Sequence, residues 1–118
     1  MKSDKLKGHL DLLMLETLRT APGHGYAVIA ALRDRTEGEF DLPEGTVYPA
    51  LHRLEDRRLL ASDWSDRSGR RRRVYRVTEE GLRALAEERS QWSSFVAAVD
   101  AVVRPAPTGG GSISASPA

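Results

Sequence analysis

Residues 42–60 read LPEGTVYPALHRLEDRRLL, and the fold turns on whether this stretch is a helix. Val47, Leu51 and Leu54 recur at i, i+4 and i+7, the spacing of one apolar helix face. Against that stand Pro43, Gly45 and Pro49, residue types that helix interiors usually exclude. Pro43 falls at or just before the first turn, where a missing N–H costs nothing. Pro49 deletes the bond to the carbonyl of Gly45, which has no side chain to add to the crowding. A helix is therefore expected from about Glu44 to Arg57, held to the core by Leu42 and the Val47/Leu51/Leu54 stripe. The opposite face presents Thr46, Tyr48, Pro49, His52 and Arg53. Thr46 and Tyr48 can hydrogen-bond phosphates or base edges, and Arg53 can pair with either.

Downstream, LLASDW (59–64) and RRVYRV (72–77) flank SDRSGRR, two strand-like runs around a Ser/Asp/Gly turn, which predicts a β-hairpin. The hairpin concentrates charge. Arg67, Arg70, Arg71, Arg72, Arg73 and Arg76 occur with no acid among residues 67–76, whereas residues 79–104 hold five acids against three arginines. The overall charge of +1 hides this local excess, and a phosphate responds to the local field. Strand alternation sends Arg71 and Arg73 to one side and Arg72, Val74 and Arg76 to the other. Arg67, Arg70 and Arg71 at the tip are the best placed for phosphates, and Tyr75 and Val77 are expected on the core. A run of charge is often only a solvated face; its place in a hairpin just after a helix pair favours nucleic-acid contact.

Upstream, KLKGHLDLLMLETLRT (5–20) reads as a first helix with Leu6, Leu10, Leu13 and Leu18 on one side and Leu12, Met14 and Leu15 widening it. So wide a stripe suggests burial on two sides, one against a partner. APGHG (21–25) breaks the chain, a second helix follows from about Tyr26 to Thr36, and EGEFD (37–41) turns it, with Phe40 and Leu42 beneath. After the hairpin, Thr78 is an N-cap and Glu79 and Glu80 suit the helix dipole, though Gly81 rules out a capping box. The last helix runs to about Val103. Its large positions Leu82, Leu85, Arg89, Trp92, Val96, Val99 and Val103 follow 3,4 spacing, a heptad seam interrupted only by Arg89. The order helix, helix, helix, hairpin, long helix is the winged helix-turn-helix plan, mainly α (α+β). It divides the chain into a DNA-binding domain at 1–78, a dimerisation helix at 79–104 and a Pro/Gly/Ser-rich tail at 105–118, expected to be disordered. The dimer surface is expected from Leu6, Leu10, Leu85, Trp92, Val96, Val99 and Val103.

Other classes find little support. With 118 residues the chain suits one modest core, and cysteine is absent, which leaves no thiolate nucleophile, disulfide or thiolate metal site. Three scattered histidines make no metal cluster, His9 and His24 read as structural or solvent-exposed, and no cofactor is expected. There is no Ser/His/Asp order or phosphate-cradling glycine loop to suggest an enzyme. No signal-like segment and no apolar run near the roughly 20 residues of a membrane span occur, so the expected setting is the cytoplasm, with no membrane partner. The competing reading is a winged-helix module for protein assembly without DNA readout, for which an all-basic hairpin tip has no use.

HGYAVIAAL, EGTVYPALHRLEDRRLL and SGRRRRVYRVTEEG, followed by a single long helix, resemble the PadR family of bacterial transcriptional regulators over residues 8–103. The one-helix ending is similar to the small multidrug-sensing repressors. The resemblance implies a homodimer formed through the first and last helices that binds pseudo-palindromic double-stranded operators and mostly represses. It places Thr46, Tyr48 and the wing arginines 70–73 at DNA-contacting positions. It also implies that Trp92 lines a slot at the dimer centre for a small aromatic or hydrophobic effector, with Arg89 and Val96 one turn to either side. Here the chain departs from the family: Pro43 stands where a polar cap is common, and Arg89 and Val96 replace aromatic and acidic residues of the multidrug sensors. A cation at the slot's edge would favour neutral or anionic ligands.

Overall fold

The computed structural model describes residues 6–104; the tail expected to be disordered at 105–118 lies outside the described residues. Helix α1 spans Leu10–Thr20, α2 Gly25–Arg35 and α3 Glu44–Asp56; strands β1 (Leu60–Ser65) and β2 (Arg72–Val77) follow, and α4 covers Glu79–Val103. The expected order is therefore the observed one. The first helix starts later than its apolar pattern: Lys7–His9 forms a 3-10 turn and the α-helix begins at Leu10, in keeping with the low helix propensity of Gly8.

Met14, Leu15 and Leu18 of α1, Val28 and Leu32 of α2, and Val47, Leu51 and Leu54 of α3 close one core, with Leu42, Leu60, Tyr75 and Leu85 completing it. Phe40 packs at its edge. Helix α3 runs unbroken through Pro49, and the Pro43 carbonyl accepts from the N–H of Thr46 and Val47 at 3.0 and 3.1 Å, closing the first turn in place of a side-chain cap. The helix ends in a Schellman motif: Arg58 sits at φ 65°, and Arg58 N–H and Leu59 N–H reach the Glu55 and Leu54 carbonyls at 2.9 and 3.0 Å.

The wing is an antiparallel pair with Leu60 opposite Val77 and Ser65 opposite Arg72. Gly69, at φ 71°, turns its tip. Gly23 adds a bridge on the outer edge of β2, exchanging N–H···O bonds of 3.1 and 2.8 Å with Tyr75. The α1–α2 connection is thereby stitched to the wing, which is what brings the start of α2 beside the hairpin.

Thr78 caps α4 as expected, its hydroxyl accepting from Gly81 N–H at 3.0 Å and donating to the Arg58 carbonyl at 2.8 Å. The missing capping box has a packing reason. A Cβ at Gly81 would collide with the Leu59 carbonyl oxygen and with Val77, so the first turn of α4 lies directly on the backbone where α3 passes into β1. Beyond that, Leu85 is buried while residues 89–95 are exposed; among the described residues the far half of this 25-residue helix is only partly covered, by His9 against Trp92 and Phe95.

Candidate nucleic-acid interface

A cleft of about 450 Å³ opens between α2, α3 and the wing, lined by His24, Tyr26, Tyr48, His52, Trp64, Arg70, Arg71, Arg72, Arg73 and Tyr75. Four features set its chemistry.

The first is Tyr48. Its ring lies against Gly25, where a Cβ would overlap the ring and its hydroxyl oxygen, so the glycine at the start of α2 is the space the tyrosine occupies. Tyr26 meets that ring edge-on at 6.3 Å and donates its hydroxyl to Glu44 at 2.8 Å. That bond holds the Tyr26 phenol above its ordinary pKa, and burial does the same for Tyr48. Both phenols are thus donors at neutral pH.

The second is the distribution of charge in the wing. Toward its base the arginines are paired: Arg73 with Glu55 at 3.6 Å and Arg76 with Asp63 at 3.8 Å. Among the described residues Arg67, Arg70, Arg71 and Arg72 form no ion pair with a carboxylate. The uncompensated positive charge therefore sits at the tip and on the cleft side, where an incoming polyanion gains most.

The third is His24. It caps α2 by accepting from Ala27 N–H at 3.2 Å, and its other ring nitrogen lies 2.7 Å from Arg72 Nη1. Arginine can only donate, and a neutral imidazole has a single lone-pair nitrogen. The ring can serve Ala27 or Arg72, never both, so helix cap and wing compete for it. Burial, then the Arg72 charge, lowers its pKa.

The fourth is Trp64, which is opposite Arg73 in the hairpin and carries the Arg71 and Arg73 guanidiniums over its ring at 4.8 and 5.2 Å. As alternation requires, these three share the side of the hairpin that holds buried Tyr75.

The remaining residues singled out in the sequence fall elsewhere. Thr46 is half-buried. Arg53 lies outside the cleft, 2.6 Å from Asp11 of α1, with Arg57 at 3.1 Å on the same carboxylate. Arg67 stands exposed at the tip. His24, Tyr26 and Trp64 were not among the expected contacts; the Gly23–Tyr75 bridge that assembles them leaves no periodic signal.

The expected dimer surface needs correction. Leu6 and Leu85 are 5% and 2% exposed within the chain's own core, because the first turns of α4 pack on α1 and the wing. Leu10 is half-buried against the same core. What remains open on α4 is Leu82 near its start and, further along, Trp92, Phe95, Val99, Val102 and Val103, with Val96 half-buried. Phe95 and Val102, one step off the assumed seam, belong to this face. His9 packs edge-on against Trp92 at 4.9 Å, over a hollow of about 200 Å³ that Leu12, Glu88 and Phe95 also line. Arg89 turns away to Glu16 at 3.4 Å, so the charge at the hollow is the carboxylate of Glu88. The preference expected from Arg89 loses its basis.

Comparison with known proteins agrees with this architecture. The Transcriptional regulator PadR-like family matches residues 14–87. An uncharacterized protein of Lysinibacillus sphaericus is 30% identical over 101 residues, 85% of this chain and 93% of that one. The Escherichia coli transcriptional regulator YqjI is 31% identical over 84 residues, which are 71% of this chain and 39% of YqjI. A PadR family transcriptional regulator from Eggerthella lenta superposes with a TM-score of 0.75 at 35% identity, covering 86% of this chain and 88% of that one. A transcriptional regulator from Clostridium thermocellum gives 0.79 at 26% identity, covering 86% and 99%. Helix pair, wing, long last helix and family match coincide: the chain belongs to the PadR-like family of transcriptional regulators, DNA-binding proteins and not enzymes.

Proposed function

We propose that this chain is a cytoplasmic, sequence-specific repressor that binds pseudo-palindromic operators as a homodimer. The observation that carries the reading is the set of wing arginines that have no carboxylate partner among the described residues, arrayed beside the Tyr48 and His52 edge of α3. In this reading α3 enters the major groove and the wing grips the flanking backbone. Tyr48 and His52 read base edges, while Arg67, Arg70, Arg71 and Arg72 take phosphates. Thr46, Arg53 and Arg73 stand at the margin, the two arginines reaching DNA only by leaving Asp11 and Glu55. Two recognition helices related by a two-fold axis meet half-sites about 10 base pairs apart.

The apolar face of α4 supports the homodimer, since such a strip is costly to leave in water. The hollow under Trp92 supports an effector, a planar or apolar molecule whose binding alters the spacing of the two wings. A gel shift against the promoter of its own gene tests the reading: a retarded band that outlasts random competitor DNA is expected. Binding no stronger than to random DNA overturns the claim of sequence-specific repression. Quenching of Trp92 fluorescence in the Trp64→Phe chain by planar aromatic ligands, with loss of operator affinity, tests the effector.

A further inference from the structure

Tyr26 and Trp64 are the exposed large aromatic residues of the cleft, and Tyr26 is tied to Glu44 by its hydroxyl. Tyr75 is buried and Tyr48 half-buried, but the Trp64 indole is 55% exposed and fills no hole in the core. Its surroundings are cationic. Arg73 stands directly across the hairpin, Arg71 lies two residues away on the same side, and both guanidiniums are within the roughly 6 Å at which an aromatic face attracts a cation. The two arginines are not held alike. Arg73 is also drawn to Glu55 at 3.6 Å. Arg71 has no carboxylate partner among the described residues, and the indole is the contact that holds it.

We infer that Trp64 is a positioning residue of the wing: its indole holds Arg71, and secondarily Arg73, in stacked geometry, so that the wing presents already ordered guanidiniums to a DNA phosphate. This rests on the DNA-binding reading above. A free arginine side chain must surrender most of its rotamers when it binds a phosphate. One already laid on an indole has surrendered them and still keeps its outer N–H edge open. Stacking on the ring does not consume the charge, whereas pairing with a carboxylate, as at Arg76, does. On the indole Arg71 keeps its charge without an acid beside it, whereas Arg73 shares its charge with Glu55.

The test uses the full chain and a labelled random-sequence duplex of about 30 base pairs, with affinity followed by anisotropy across a salt series. Trp64→Leu, which keeps apolar bulk without an aromatic face, is expected to bind about tenfold more weakly when both wings of a dimer engage. Trp64→Phe should recover most of that loss. In an Arg71→Ala background Trp64→Leu should cost far less than it does alone, since the cation it places is gone. Thermal melts that match wild type within a few degrees separate positioning from unfolding of the hairpin. An Arg71 Hε resonance displaced by the indole ring current, and restored to its random-coil position in Trp64→Leu, reads the stacking without DNA. Equal affinities for Trp64→Leu and wild type, no recovery with phenylalanine, or additive losses with Arg71→Ala would each overturn the inference, as would an unshifted Arg71 resonance in the wild-type chain. A wild-type chain with shifted Arg71 but no salt-dependent duplex binding overturns the DNA reading itself, and the proposed role with it.

Discussion

His24 faces two donors with one lone pair, and its protonation leaves it with none. Burial and the Arg72 guanidinium depress its folded pKa, so folding favours the neutral ring. The associated stability is fully present above the unfolded value of about 6.5 and is lost as pH falls through the lower folded value. The melting temperature should therefore drop between pH 7 and pH 5, and His24→Asn, which retains a good cap, should flatten that part of the profile. An unchanged slope in the variant would count against the assignment. Gly25 offers a second test at this scale. In Gly25→Ala the new methyl and the Tyr48 ring cannot share the space. Tyr48 can rotate outward, so stability should fall by about 1 kcal/mol while operator discrimination falls as far as in Tyr48→Ala. The double variant should be little worse than either single one.

Element boundaries were the most legible part of the sequence. Pro22, Gly38 and the Ser/Asp/Gly run mark breaks by backbone chemistry, and Val47, Leu51 and Leu54 mark a buried face by period, so α2, α3 and the hairpin fall close to expectation. Contacts between elements were less legible. Arg58, which no sequence pattern singles out, occupies the left-handed position of the α3 Schellman motif at φ 65°, where a Cβ is disfavoured by about 1–2 kcal/mol. Arg58→Gly should therefore stabilise the chain by about 0.5–1 kcal/mol after the entropy of a more flexible unfolded chain is offset, visible as a rise of a few degrees in melting temperature. At Gly81 the opposite holds. There the obstacle to a side chain is the Leu59 carbonyl, which belongs to backbone and cannot swing aside, and Gly81→Ala should cost about 2 kcal/mol. The candidate site was half legible for the same reason: charge clustering exposes Arg70 to Arg73, but the companions His24, Tyr26 and Trp64 depend on how α2 docks against the wing.

For the whole molecule the question is what covers α4. The 3,4 spacing runs through positions of both kinds: Leu85 serves the chain's own core, whereas Leu82 near the start and the strip from Trp92 to Val103 lie open. Heptad spacing alone cannot tell a helix that packs inward from one that packs outward, and this one does both. A dimer mass by light scattering at micromolar concentration is expected for the wild-type chain. Val99→Asp, which places a charge in the strip, should give a monomer with an unchanged far-ultraviolet spectrum, and a persisting dimer would send the search to another face. The monomer should also lose most of its preference for a two-half-site operator, because the second half-site no longer benefits from high effective concentration.

The backbone contact at Gly81 also fixes a mechanical ratio. With no side chain as a cushion, the start of α4 and the root of the hairpin bear on each other like parts of a hinge pin. From there the long helix extends about 33 Å to Val103, and the hairpin about 20 Å to its tip. A swing of about 5° about that fulcrum moves the two ends by ~3 Å and ~2 Å respectively, on arms of those lengths. The smaller throw already exceeds the roughly 0.5 Å latitude of a good hydrogen bond. A slight change in the angle at which two such shafts cross is therefore enough leverage to lift the fingertips of the wing off a sugar-phosphate rail.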